Sequence, residues 1–234
     1  MSAALRWGYR RLNMFEAYIL ILQLLTIGTG LLCLRRRGPV LLWIVWTIRV
    51  LACINENILV PHVKDWWGIS RNVCYNIYAV VDTITWALIF IIIFRKYNVA
   101  KKLVVYISLF LILTKIIEIN MKGIQQIASV SLIIFCAACM VASVCYFAKI
   151  LNPDFHDLKT DPAFWICCAS LSFHSVLMVN LITVPYTTYW KQNFSTVTFN
   201  IIQVIAITCY NIFICLSFIF STSRYSRYFR QISY

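Results

Sequence analysis

The chain has 234 residues, 62% of them hydrophobic and only 12% charged, with a mean hydropathy of +0.79 and a formal net charge of +13. A soluble domain is about 45–50% apolar and about a quarter charged, and a globule of this size cannot hide such an excess of apolar side chains from water. These figures exclude a soluble enzyme, a disordered tail and a secreted disulfide scaffold. Lipid is the solvent for most of this chain.

A membrane-crossing helix needs about 20 mostly apolar residues. In chain order, such stretches fall at about 14–34, 39–60, 72–94, 103–120, 124–151, 162–186 and 196–220. The expected fold is all-α: a polytopic membrane protein with one integral domain over 1–234, built as a bundle of seven transmembrane helices. The first stretch follows a basic segment, Arg6 to Arg11, as a signal peptide would. Its apolar run exceeds the usual 7–15 residues of a cleaved leader, however, and no small-residue cleavage pattern follows. It reads as a retained helix. The connections are short and carry charge or turn signals: Arg35-Arg36-Arg37-Gly38, Arg95-Lys96-Tyr97-Asn98 with Lys101-Lys102, and Asn120-Met121-Lys122-Gly123. Asn152-Pro153 stops the fifth helix, and Asp161-Pro162 supplies an N-cap with proline at the first helical position. The fourth stretch is the least apolar in pattern, because Lys115 and Glu118 lie inside it.

Lys and Arg accumulate on the cytoplasmic side of a membrane. One face of the bundle collects Arg35, Arg36, Arg37, Arg95, Lys96, Lys101, Lys102, Lys149, Lys159, Arg224, Arg227 and Arg230. The other collects Arg6, Arg10, Arg11, Lys64, Arg71, Lys122 and Lys191. The 12:7 division predicts an external N-terminus and a cytoplasmic C-terminus, in a cell inner (plasma) membrane. Trp66, Trp67, Trp165 and Trp190 fit an interfacial aromatic belt. The positive charge is read as loops meeting anionic headgroups, and the Arg224–Arg230 tail as a juxtamembrane anchor; nothing points to nucleic acid.

Nine of the ten cysteines fall within apolar helix, with Cys74 near a helix start, and each is expected to act as a small hydrophobe. Cys136-Ala-Ala-Cys139 spells CxxC but lies in mid-span, where no water helps form a thiolate. The small residues Ser131, Ala138, Ala142 and Cys145 are expected to let another helix approach closely. The segment Asp154-Phe155-His156-Asp157 with Asp161 reads as a solvated loop, and no metal site or cofactor is expected. Asn193-Phe194-Ser195 spells a glycosylation acceptor on the external side. The seventh span has no Lys, which excludes a retinal Schiff base there, and no phosphate loop, nucleophile elbow or HExxH supplies a catalytic residue.

Ionisable groups at membrane depth are costly and are functional by default. Arg49 and Glu56 project from one face of the second helix, with Asn55 and Asn57 beside the Glu. Tyr75, Asn76, Tyr78, Asp82 and Thr85 cluster in the third helix, and Lys115 and Glu118 are neighbours on the fourth. His174 with Ser170, and Asn180, lie in the sixth; Asn200, Gln203 and Asn211 share a face of the seventh. With the N-terminus outside, Glu56, Tyr75, Asn76, Lys115, Glu118, Asn180, Asn200 and Gln203 all fall in the outer half. The expectation is a polar cavity opening outward, floored by an Arg49–Asp82 pair and walled by Glu56 and Lys115. The competing expectation is static interhelical hydrogen bonds and ion pairs.

Three stretches carry a resemblance. Asn72-Val-Cys-Tyr75-Asn76-Ile-Tyr78-Ala-Val-Val-Asp82, Asp161-Pro162-Ala-Phe164-Trp165-Ile166 and the polar seventh helix around Asn200 and Asn211 resemble a family of small bacterial seven-helix inner-membrane proteins. The same module occurs N-terminal to sensor kinases. Where that family typically carries Glu in its third helix, this chain has Asp82. The resemblance implies a membrane module of sensory type and no catalytic residue. Residues and resemblance together lead to a sensor or receptor-like module acting through a cytoplasmic or membrane signalling partner. The runner-up is a small transporter or proton-linked carrier using Arg49, Glu56, Asp82 and Lys115.

Overall fold

The computed structural model describes residues 14–35, 38–150, 161–190 and 196–232, with side chains described for 16–35, 38–149, 161–182 and 201–221. Seven helices follow in chain order: α1 (Met14–Leu34), α2 (Val40–Trp67), α3 (Arg71–Ile93), α4 (Asn98–Lys122), α5 (Ser129–Ile150), α6 (Pro162–Trp190) and α7 (Thr196–Ile232). Each contains a segment long and apolar enough to cross a membrane. The chain is therefore an all-α, multi-pass integral membrane protein. Arg6 to Arg11, Arg36, Arg37, Asn152 to Lys159, Lys191 and Asn193 to Ser195 lie outside the described residues, as do the side chains of Trp190, Asn200 and the Arg224–Arg230 tail.

Helix boundaries differ from the sequence expectation where a local interaction extends or stops the turn. The second helix passes its expected end at 60 and runs to Trp67, although Pro61 lies within it. Pro61 has no N–H for the Asn57 carbonyl, and its ring crowds that carbonyl. The helix accommodates this by widening into a π-turn over Asn55–Leu59, where the Val60 N–H bonds to the Asn55 carbonyl, five residues back. Gly68, at φ +66°, then ends α2 in the left-handed conformation that glycine adopts without a Cβ penalty. The Ser70 side chain accepts from the Asn72 N–H to start α3.

The fourth helix is longer than 103–120, and Gly123 at φ +86° closes it. The fifth begins at Ser129 rather than 124, because Asn76 holds the intervening loop open. Its Nδ2 donates to the carbonyls of Ile124 (3.0 Å) and Gln126 (2.8 Å), and its Oδ1 accepts from the Ala128 N–H (3.1 Å). Asn72 adds a bond to the Gln125 carbonyl at 2.8 Å. Glu118 caps the new helix by accepting from the Val130 and Ser131 N–H groups (3.1 and 2.8 Å).

Neighbours in sequence pack as neighbours in space, and α7 returns to α1, so the helices close a ring. The additional α3–α5 contact sets α4 to the outside of that wall. The half of the ring nearer the α1–α2, α3–α4 and α5–α6 connections is filled by apolar side chains, including Leu42, Val45, Ile89, Cys136, Ile166, Ile214 and Phe218. The close approach of α5 and α6 uses Cys136, Cys139 and Ser143 against Ala163, Cys167 and Ser170. The expected seam is only partly right, since Ser131 is buried but Cys145 is exposed. All ten cysteines are free.

Replacing Asn76 by Ala strands two carbonyls and one N–H in the α4–α5 loop. We expect a loss of about 1–3 kcal/mol, against less than about 1 kcal/mol for Asn72→Ala, whose single bond is exposed. Thermal melting of the two variants in detergent checks the order.

Candidate functional site

The opposite half of the ring encloses a central cavity of about 450 Å³ to which all seven helices contribute. α1 supplies Ile19 and Gln23, and α2 supplies Ile48, Arg49, Ala52, Asn55 and Glu56. α3 brings Tyr75, Asn76, Tyr78, Asp82 and Trp86, and α4 brings Lys115. Ala128, just before α5, and Leu132 within it close one side, α6 gives Phe173, Leu177 and Asn180, and α7 gives Gln203, Ala206 and Tyr210. Of the polar residues singled out in the spans from sequence, ten line this one space: Arg49, Asn55, Glu56, Tyr75, Asn76, Tyr78, Asp82, Lys115, Asn180 and Gln203. Convergence follows from the solvent, since a charged or amide side chain in mid-span has nowhere favourable to point except inward.

Arg49 is buried within α2 and, among the described residues, is held without a counter-ion in contact. Its Nη2 donates to Asn211 Oδ1 at 2.8 Å, and the guanidinium stacks 4.7 Å from the Tyr210 ring centre. Asn211 also accepts from Thr26 Oγ1 at 2.9 Å and returns its Nδ2 to the Ile207 carbonyl at 2.7 Å. One amide thus ties α1, α2 and α7 together. The expected Arg49–Asp82 ion pair does not form: among the described residues the salt bridge at contact distance is Lys122–Glu118, at 2.7 Å. Asp82 stands in the cavity wall within electrostatic range of both Lys115 and Arg49. Arg49 is instead taken by the amide of α7, which packs against α1 beside it.

Glu56 sits in the π-turn, is exposed to the cavity, and accepts from Gln23 Nε2. Gln23 Oε1 accepts in turn from Asn57 Nδ2 at 2.8 Å, so a chain of amides positions the carboxylate. Asn55 is 5% exposed and its Nδ2 has no hydrogen-bond partner; Arg49, 9% exposed, leaves its Nε equally unpartnered. Both residues line the cavity.

The remaining sequence candidates separate from the cavity. Lys115 and Glu118, adjacent in sequence pattern, diverge: Lys115 faces the cavity, whereas Glu118 turns to Lys122 and the α5 N-terminus as a structural cap. His174 is fully buried outside the cavity lining, edge-on to Trp86, Phe135 and Phe173. Its Nδ1 lies 2.9 Å from the Ser170 carbonyl, which only accepts, so Nδ1 carries the proton. Trp86 links it to the cavity, since that ring both touches His174 and lines the wall. Sequence reasoning passed over Gln23, Trp86, Phe173 and Tyr210. Gln23 had a legible signal as a lone amide inside the apolar run of α1. Tyr210 had one in its place next to Asn211.

The site is therefore amphipathic. Arg49, Lys115, Glu56 and Asp82 supply two charges of each sign, while Tyr75, Tyr78, Trp86, Phe173 and Tyr210 supply aromatic surface. Such a mixture binds a small molecule by enclosure, with a few polar groups fixing its orientation. No group of three or more His, Cys, Asp or Glu suited to a metal ion occurs among the described residues. Comparison of the chain with family models, with curated proteins and with solved structures finds no match.

Removing Asn211 strands the Arg49 guanidinium, so Asn211→Leu is expected to cost about 2–3 kcal/mol of stability. Adding Arg49→Met removes the stranded charge and recovers about 1 kcal/mol or more. A double-mutant cycle by steric trapping or melting in detergent reads the coupling.

Proposed function

We propose that this integral membrane protein is a receptor-like sensor: it takes a small ligand into the cavity from the external side and passes the signal to a partner at its cytoplasmic face. The observation that carries the reading is the asymmetry of the ring. One half holds a polar, aromatic-lined cavity reaching to Arg49 and Tyr210, and the other half is packed by apolar side chains, with one small apolar pocket of about 40 Å³ between α3, α4 and α5. Binding on one side of a sealed layer is the arrangement of a receptor. The excess of Lys and Arg on the apolar side supports an external N-terminus and a cytoplasmic C-terminus, in a cell inner (plasma) membrane. The basic connections at Arg35, Arg95, Lys96, Lys101 and Lys102 are the surface offered to the partner. The resemblance to seven-helix modules that precede sensor kinases supports the same reading.

A carrier is the second reading, and one observation favours it. The π-turn and Pro61 interrupt α2 beside Glu56, and such irregularities mark helices that bend at functional sites. The two readings differ in access. In a variant with all ten cysteines replaced, Glu56→Cys is expected to react with a membrane-impermeant maleimide added outside intact cells and to resist the same reagent in inside-out vesicles. Labelling from both sides establishes alternating access and the carrier. Labelling from neither side removes the cavity from function. Ala169→Cys, in the apolar layer and fully buried, is expected to stay unlabelled throughout.

A further inference from the structure

The charged groups in the cavity are not partnered as a static network would partner them. Arg49 is hydrogen-bonded to the neutral amide of Asn211, and Glu56 to the neutral amide of Gln23. The two lie on one helix, seven residues apart, which is roughly 10 Å of rise. Each is within electrostatic range of the other, and no ion pair joins them among the described residues. Asp82 and Lys115 face each other electrostatically across the same space. None of the four has a contacting counter-ion among the described residues, and Arg49 and Glu56 are the cation and the anion held by neutral amides.

Two donors sharpen this. Arg49 and Asn55 line the cavity, and two of their donor atoms, Arg49 Nε and Asn55 Nδ2, are buried without a partner. A buried donor left unpaired keeps its full desolvation cost, so each is a group that an acceptor would satisfy. Both donors ask for an oxygen acceptor, and a carboxylate on Arg49 is the charge-assisted solution. Glu56, whose Oε2 is already occupied by Gln23, keeps its second oxygen for a donor, and an ammonium is the donor that also answers its charge. Tyr78 and Tyr210 give aromatic faces to the body of such a molecule.

We propose that the cavity binds a small zwitterion, with its carboxylate on the Arg49 and Asn55 donors, its ammonium on Glu56, and an apolar or aromatic body against Tyr78 and Tyr210. This rests on the receptor reading above and names its ligand class. A zwitterion answers both amide-held charges at once, whereas an amine or an acid alone answers one and leaves the other without a counter-ion. Selectivity therefore comes from the pair of charges.

The test is binding to the purified full chain in detergent, by thermal shift and calorimetry. The probes are two zwitterions, phenylalanine and δ-aminovalerate, with single-charge controls hydrocinnamate and valerate (acids) and phenethylamine and amylamine (amines). We expect at least one zwitterion to bind about tenfold or more tighter than both of its single-charge controls. Glu56→Gln is expected to weaken that zwitterion about tenfold and leave the acid control unchanged. Asn55→Ala removes an amide whose Nδ2 donor is unpaired in the free protein. It is expected to weaken binding about threefold to tenfold with no drop in melting temperature. An amine or an acid binding as tightly as its zwitterion overturns the proposal while the receptor reading stands. No binding of any probe at about 10 mM also overturns it. In that case the maleimide pattern at Glu56→Cys, which needs no ligand, still decides the receptor reading independently.

Discussion

A guanidinium at the middle of a membrane is the constraint around which this bundle is arranged. Arg49 cannot face acyl chains, so α2 turns it inward, and the ring supplies what lipid cannot. That supply is a neutral amide and an aromatic face, Asn211 and Tyr210, and among the described residues no carboxylate touches it. Because Asn211 also holds Thr26, the same residue locks α1 and α2 to α7 at the point where the ring closes. A carboxylate in that position would have neutralised Arg49 and finished the network. An amide fixes the geometry and leaves the charge in place.

From that choice the division of the molecule follows. On one side of Arg49 the helices pack through Val45, Ile89, Ile166, Ile214 and Phe218, with no polar group that a ligand could use among these side chains. On the other side they stand apart around a space edged by Glu56, Asp82 and Lys115. Small residues allow the tight half, where Ala163, Cys167 and Ala169 bring α6 close to its neighbours. Aromatic residues furnish the open half. The resulting shape resembles a cup whose base is apolar packing and whose rim lies at the level of Tyr75 and Gln203, both exposed.

The architecture was largely legible in the sequence, for a physical reason. Seven apolar runs have one stable solution in lipid, and polar side chains within them are forced to the interior. Hence Arg49, Glu56, Asp82, Lys115 and Gln203, scattered over more than 150 residues, meet in one cavity. Pairing was not legible. Inward-facing charges at similar depth can combine in several ways, and Arg49 reaches Asn211 on α7 although α3, which carries Asp82, packs on α2. Periodicity carries no information about that. Similarly, Lys115 and Glu118 look like a pair on one helix face, but the orphan N–H groups at the start of α5 claim Glu118. The π-turn had a signal in Pro61 whose consequence, the widening at Asn55–Leu59, becomes visible only when the helix is seen to continue to Trp67.

The central claim is the two-storey ring, a polar half around a central cavity above an apolar packed half, and collision accessibility of spin labels along α7 measures it most directly. Labels at 203 and 206 are predicted to be relaxed by a water-soluble nickel complex. Labels at 205, 212 and 219, whose isoleucines face outward, are predicted to be relaxed by oxygen dissolved in the lipid. Labels at 214 and 218, whose side chains are fully buried, are predicted to be reached by neither. Nickel relaxation continuing past Arg49 to 214 and 218 would contradict the account, as would oxygen reaching 203 and 206 as freely as the outward positions.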